Sequence, residues 1–343
     1  MKNLTIRDIA KICGVGISTV SRAINNDPTI NEKTKERVLK VIKEYNYVPN
    51  NSARNLKMTE SNTIALLIKG IDNQFFQGML SVFQEELKKI KYQFIIRTVA
   101  EDEDDASVAI ELTKEKRLKG IIFLGGLMDY PEESLKATGI PYVLCTVAVN
   151  KDAPKRKCSS VAIDDEEESY KATKYLLSKG HKKIAMIAGR ESDYAVGRMR
   201  LEGYRKALEE EGLEYDPELV GFMKEDIPEY TLANGYAVMS DLLEAKKDEF
   251  TAVYCVSDIT ACGAYKAIYD KGYSIPDDYS VLGFDGIELG KYLVPSLTTI
   301  KQPSEEMVKS SIKHLMREIE GKESNVSEIL KGELIERGSI KEI

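Results

Sequence analysis

TIRDIAKICGVGISTVSRAIN, residues 5–25, is the stretch on which the reading of the whole chain turns. Thr5 is a good N-cap, and Ile6, Ile9 and Ala10 fall on one face of a helix running to about Ile12. Gly14 can take the left-handed conformation that ends a helix, and Gly14 to Ile17 is the length of turn that joins two helices at a steep angle. In a second helix Val20, Ala23 and Ile24 can face the first, which leaves Ile17, Ser18, Ser21, Arg22 and Asn25 pointing outward. A helix-turn-helix with that outward set suits a DNA major groove. Ser18, Thr19 and Ser21 can bond bases or phosphates, Ile17 can meet a thymine methyl, and Arg22 can contact guanine or the backbone. The competing reading is a surface helical hairpin, since the same geometry occurs in ordinary helical domains.

Downstream, Asn31 can cap a third helix from about Glu32 to Tyr45, with Val38, Leu39, Ile42 and Tyr45 as its apolar stripe. Three helices make a minimal core. In YVPNNSARNLKMTESNT (47–63), Pro49 sets a start and Asn50 to Leu56 could form two helical turns before a polar linker. So short a helix is marginal alone and is expected to order only when something packs against it.

The chain has 343 residues, so at least two domains are expected. Residues 1–60 hold 11 Lys and Arg against 6 Asp and Glu, a net charge of +5; the other 283 residues carry −12. A basic head on an acidic body fits an anionic polymer bound at one end and argues against a membrane-surface role for the body. The five cysteines (13, 145, 158, 255 and 262) form no Cys-x-x-Cys pair and have no His at ligand spacing, which argues against a zinc site or a disulfide framework. MKNLTIRDIA lacks the apolar core of a secretory signal, and no run of 18 apolar residues occurs, so a soluble cytoplasmic protein is expected.

From Asn62 short apolar runs alternate with amphipathic helices. TIALLIK, YQFIIRTV, GIIFLGG and PYVLCTV read as strands; the pattern restarts at SVAID and continues through KKIAMIAG, ELVGFM, TAVYCVSD and YSVLGFDG. Continuous apolar runs imply strands covered on both faces, and the repetition implies two doubly wound α/β lobes with a ligand cleft at the carboxyl ends of their strands.

Residues 5–25, followed by NEKTKERVLKVIKEYNYVPNNSARNLK (31–57), resemble the DNA-binding head and hinge of the lactose/galactose repressor (LacI/GalR) family. The resemblance implies that the second helix reads the major groove and that a hinge helix enters the minor groove. Leu56 is then the wedge between base steps, and Tyr47, Asn50 and Ala53 stand at matching hinge positions. Together with Thr5, Ile17, Ser18, Thr19, Ser21, Arg22 and Asn25 these are the expected DNA contacts. Gly16 departs from the family's usual Ser and passes that hydroxyl's work to Ser18, Thr19 or the backbone.

The body is similar to the same family through VAIDDEEESYKATKYLLSKGHKKIAMIAG, RLEGYRKAL and SVLGFDGIELGKYLVPSLTTIKQP, which implies a type I periplasmic-binding-protein fold. The expected organisation is a head at 1–48, a hinge helix and linker at 49–61, and an effector-binding and dimerisation domain at 62–343. Its first lobe is placed at about 62–160 and 292–325, its second at about 161–291 and 326–343.

Strand ends and the resemblance nominate the ligand contacts. Phe75, Thr146, Ser257, Asp258 and Asp285 follow strands, Arg200 opens the RLEGY helix, and Tyr230 stands where the family often has an aromatic residue. A carboxylate and a guanidinium can each hold vicinal hydroxyls while aromatic faces cover the C–H side of a ring, so the set suits a sugar or sugar derivative. The competing readings are a helix cap for Asp258 and a core position for Tyr230. Ser257 and Thr146 replace longer polar residues usual in the family, which points to a ligand smaller, less hydroxylated or differently oriented than a typical hexose.

EDEDD (101–105) and DDEEE (164–168) precede helical segments and read as acidic helix starts rather than metal sites. His181 and His314 are the only histidines, and there is no P-loop and no G-x-S-x-G elbow. No catalysis, cofactor or metal is expected. The expected partners are a near-palindromic double-stranded operator, a sugar-like effector and a second copy of the chain, with no membrane. The rivals are a regulator with a protein or nucleobase effector, a solute-binding protein, and an enzyme.

Overall fold

The computed structural model describes residues 5–24, 27–45, 62–70, 73–100, 103–126, 135–148, 158–193, 195–322 and 325–343. The chain divides into two compact units, Met1–Ser61 and Asn62–Ile343. Of the expected DNA contacts, Asn25, Tyr47, Asn50, Ala53 and Leu56 lie outside the described residues.

In the first unit, helices span Ile6–Cys13, Ile17–Ile24 and Glu32–Glu44. The first opens on a capping box: Asp8 N–H donates to Thr5 Oγ1 (3.4 Å), and Thr5 N–H returns to Asp8 Oδ2 (2.8 Å). Gly14, at φ 61°, ends it, and Val15 N–H closes the turn on the Ala10 carbonyl. Asn31 caps the third helix, accepting from Lys33 N–H at 3.1 Å. The core holds Ile9, Ala10, Cys13, Val20, Ala23 and Val38, with Ile6, Ile24, Val41 and Ile42 packed around it. Leu39 and Tyr45, expected in the third helix's stripe, are 41% and 47% exposed. Leu39 lies about 100° around the helix from the fully buried Val38 and falls at the exposed edge of the stripe; Tyr45 stands past the last helical residue. Val41 takes the vacated place.

The second unit is built on two six-stranded sheets. The first has the order β11 (Ser327–Leu330), β5 (Ser159–Ile163), β4 (Tyr142–Cys145), β3 (Gly120–Leu124), β1 (Thr63–Lys69), β2 (Gln93–Val99). The second has β12 (Glu333–Ile335), β10 (Thr298–Lys301), β9 (Ser280–Asp285), β8 (Ala252–Cys255), β6 (Ile184–Ala188), β7 (Val220–Phe222). Every pairing is parallel except β10 with β12. Strands β3, β4, β5, β6 and β8 are buried at every residue, as strands covered by helices on both faces must be.

The lobe boundaries expected from sequence need correction at the return. Residues 292–325 are expected in the first lobe, yet Thr298–Lys301 pairs with Leu282–Asp285 in the second sheet. Residues from 326 are expected in the second lobe, yet Ser327–Leu330 pairs with Ser160–Ile163 in the first. The short link between β9 and β10 keeps them neighbours in one parallel sheet, so the chain crosses only after Ile163, after Lys301 and after Leu330.

Asp104 and Asp164, from the two acidic runs, cap the helices Asp105–Glu115 and Asp165–Ser178. The helices Leu232–Lys246 and Asp258–Asp270 approach closely through paired glycines. A Cβ on Gly235 would lie 2.2 Å from the Thr260 carbonyl oxygen, and one on Gly263 would lie 2.2 Å from that of Leu232. All five cysteines are buried free thiols. Among the described residues no helix is long and apolar enough to cross a membrane.

Candidate functional site

A cavity of about 330 Å³ lies between the carboxyl edges of the two sheets. Its wall is made largely of strand ends: Lys69 at the end of β1 with Gly70 next to it, Gly125 and Gly126 after β3, Thr146 and Val147 after β4, Asp285 at the end of β9 and Gln302 after β10. The chain turns away sharply here. Gly70, Gly125, Gly126, Thr146 and Asp285 all have positive φ, at 79°, 72°, 99°, 76° and 111°. For Thr146 and Asp285 that conformation costs about 1–3 kcal/mol each, a strain that characteristically gathers at functional sites. The Thr146 hydroxyl accepts from Gly125 N–H (3.1 Å) and so ties two strand ends together.

Arg200 organises the floor. Its Nε and Nη2 meet Asp165 Oδ1 at 2.9 and 2.8 Å, and Nη1 donates to the Val256 carbonyl at 2.6 Å. Asp285 Oδ1 lies 3.6 Å from Nη1, and the guanidinium stacks 3.7 Å from the Phe284 ring centre. With three of its five N–H groups engaged, it keeps at most two for a ligand. Asp285 Oδ1 accepts from Gln302 Nε2 at 2.7 Å. Burial pushes the Asp285 carboxyl up to about 6, against the pull of Arg200 and the Gln302 hydrogen bond. Burial likewise raises Asp165, with Arg200 opposing.

Of the seven nominated ligand contacts, Phe75, Thr146, Arg200, Tyr230 and Asp285 line this one cavity. Ser257 and Asp258 do not. Ser257 is the N-cap of Asp258–Asp270, receiving Thr260 N–H at 3.3 Å. Asp258 is fully buried, accepting from Thr299 Oγ1 (2.6 Å) and Ile287 N–H (2.8 Å). Its carboxylate therefore fastens the first turn of that helix to β10 and to the segment after β9, and the capping role weighed for it belongs to Ser257 instead.

The sequence reading missed Lys69, Asn73, Phe76, Arg190, Ser192, Asp193, Glu229 and Gln302, all of which line the cavity. Lys69, Arg190 and Gln302 sit at or just after strand ends and were within reach of the rule that found Asp285. Asp193 and Glu229 lie in long loops and carry no local signal. In the head, Ile17, Ser18 and Arg22 are exposed on the second helix, Thr19 and Ser21 are half-buried, and Thr5 is exposed at its cap.

Residues 5–50 match the model of bacterial regulatory proteins, lacI family, and residues 173–340 match that of a periplasmic binding protein-like domain. The chain is 39% identical to the HTH-type transcriptional regulator MalR of Clostridium butyricum over 98% of its own length and 99% of that protein. It is 32% identical to the ribose operon repressor of Haemophilus influenzae, with 94% and 93% covered. Among solved structures, the transcriptional regulator CelR in complex with cellobiose aligns with a TM-score of 0.72 at 29% identity, covering 98% of this chain and 99% of that one. The chain belongs to the lacI family of bacterial regulatory proteins.

Proposed function

We propose that this regulator is a repressor that binds a near-palindromic operator as a homodimer, and that a neutral sugar in the inter-lobe cavity sets its operator affinity. The observation that carries the effector class is the charge balance of the wall. Among the described residues, every cation that lines it already has a carboxylate within 4 Å: Lys69 has Asp105 (3.8 Å), Arg190 has Glu225 and Glu229 (3.3 and 3.4 Å), and Arg200 has Asp165. A phosphate entering here would find no cation without a carboxylate already beside it. A hydroxylated neutral ligand can instead use the donors left on Arg200, the acceptors of Asp285 and the faces of Phe75 and Tyr230. The names of the ribose operon repressor and of the cellobiose complex of CelR favour the same class.

In the head, Thr5, Ile17, Ser18, Thr19, Ser21, Arg22 and Asn25 take the DNA. In the hinge segment 49–61, Asn50, Ala53 and Leu56 enter the minor groove, with Tyr47 just ahead of it. The cavity draws Phe75 and Thr146 from one lobe and Arg200, Tyr230 and Asp285 from the other, so a ligand that contacts both sides favours one inter-lobe arrangement. That preference couples reciprocally to operator binding, with about 5- to 150-fold the usual size of such coupling.

The test is a thermal-shift screen of the full chain against neutral mono- and disaccharides, their phosphates, nucleosides and nucleobases. A ligand at 100 times its dissociation constant adds about 2.7 kcal/mol. A neutral sugar should shift the protein and change operator affinity, and Asp285→Ala should abolish both effects. A response confined to phosphates or nucleobases, or an Asp285→Ala variant with unchanged ligand control of DNA binding, would refute the assignment.

A further inference from the structure

Two loops form part of the second-lobe wall of the cavity: the one between β6 and the helix Val196–Glu210, which brings Arg190, Ser192, Asp193 and Ala195, and residues 223–231, between β7 and the helix Leu232–Lys246. They are fastened in both directions. Arg190 Nη2 donates to the carbonyls of Glu225 (3.3 Å) and Ile227 (3.2 Å). In return the Tyr230 hydroxyl donates to Asp193 Oδ2 at 3.2 Å. The same carboxylate accepts Ala195 N–H (2.6 Å) and Gly197 N–H (3.1 Å) at the start of a helix whose N-cap, Ala195, has no side-chain acceptor of its own.

Capping alone does not account for this arrangement. Two glycines make room for the carboxylate and the phenol together: a Cβ on Gly197 would lie 2.2 Å from Asp193 Oδ2 and 2.9 Å from the Tyr230 hydroxyl, and one on Gly189 would lie 2.8 and 3.4 Å from the same atoms. Tyr230 has φ 49°, a conformation unfavourable for an aromatic residue that persists only when its surroundings hold it. Burial and then the Asp193 charge hold its phenol well above the ordinary range, so it stays a donor at neutral pH.

We propose that Asp193 is a positioning residue for the effector: by holding the Tyr230 hydroxyl it fixes the aromatic ring as a preset face for the sugar and so sets affinity through that ring. This rests on the sugar reading of the cavity. A ring already held avoids the ordering loss that a loose side chain suffers on binding, about three- to tenfold in affinity.

Tyr230→Phe, Asp193→Ala and their double variant test this in the full chain by two measurements. The first is amide hydrogen exchange without ligand. Tyr230→Phe should speed exchange in 223–231 while leaving the Ala195 and Gly197 amides protected, whereas Asp193→Ala should expose both regions. The second is calorimetric titration with maltose, cellobiose and ribose. The affinity of whichever sugar the unmodified protein binds should fall about three- to tenfold in Tyr230→Phe, and adding that change to Asp193→Ala should bring no further loss. Asp193 is only a helix cap if Tyr230→Phe leaves exchange in 223–231 unchanged, or if the two losses add in full. If exchange responds as expected but none of the three sugars binds, the Asp193–Tyr230 link stands and the sugar reading falls.

Discussion

Asp285→Asn should change stability by an amount that depends on pH with a sign fixed by the site. In the folded protein the Asp285 carboxyl is raised from 3.8 to about 6, chiefly by burial. The folded state therefore keeps a proton that the unfolded chain releases near pH 4. Its stabilising effect is complete below the unfolded value and is lost as pH rises through about 6. Each tenfold difference in proton affinity between the folded and unfolded states is worth about 1.36 kcal/mol, so the whole loss is about 3 kcal/mol, of which about 2 falls between pH 4 and pH 7.5. Asparagine has no proton to release, and its side-chain oxygen can still accept from Gln302 Nε2, which meets Oδ1 at 2.7 Å. The stability of the variant minus that of the parent should thus move in favour of asparagine by about 2 kcal/mol between pH 4 and pH 7.5. Urea unfolding at half-unit pH intervals measures it. A difference independent of pH, or one that turns against asparagine as pH rises, would show that Arg200 keeps Asp285 ionised throughout and that burial does not dominate.

Two further substitutions probe the scaffold. Thr5→Ala removes the acceptor of the capping box and should cost the first helix about 1 kcal/mol, with Thr5→Ser restoring it; exchange rates of the Ile9 to Cys13 amides report the change. Gly235→Ala and Gly263→Ala each place a methyl against a facing backbone carbonyl and should destabilise by about 1–3 kcal/mol in urea unfolding. The double variant should lose less than the sum, because either methyl alone already parts the same two helices.

The parts of this molecule written in continuous residues were legible. The apolar runs IIFL, VLC and IAMIA, short and repeated between amphipathic segments, read as strands covered on both sides, and Thr5 marks a helix start. The return strand is ambiguous in sequence because TTIK reads the same in either sheet; only its hydrogen bonds to Leu282–Asp285 decide. Leu39 misleads because two successive apolar residues can both fit a helical stripe in sequence, and only the packing shows that Val38 takes its centre and leaves Leu39 exposed.

Ser257 and Asp258 show why a strand-end rule finds a cavity and overcounts its members. The carboxyl end of β8 is also the start of a helix, and a Ser followed three residues later by Thr satisfies that helix's own donors before any ligand arrives. Asp285 escapes this fate because no long helix begins after it; a 3₁₀ turn at Glu288–Lys291 follows instead, and its carboxylate is left facing Arg200 and Gln302. Whether the acidic residue at these two strand ends faces the cavity or is used up by the fold thus follows what the chain does in the next three residues. That is readable in sequence for Asp285 and Ser257. It is not readable for Asp193, whose second partner, Tyr230, stands 37 residues away on another loop.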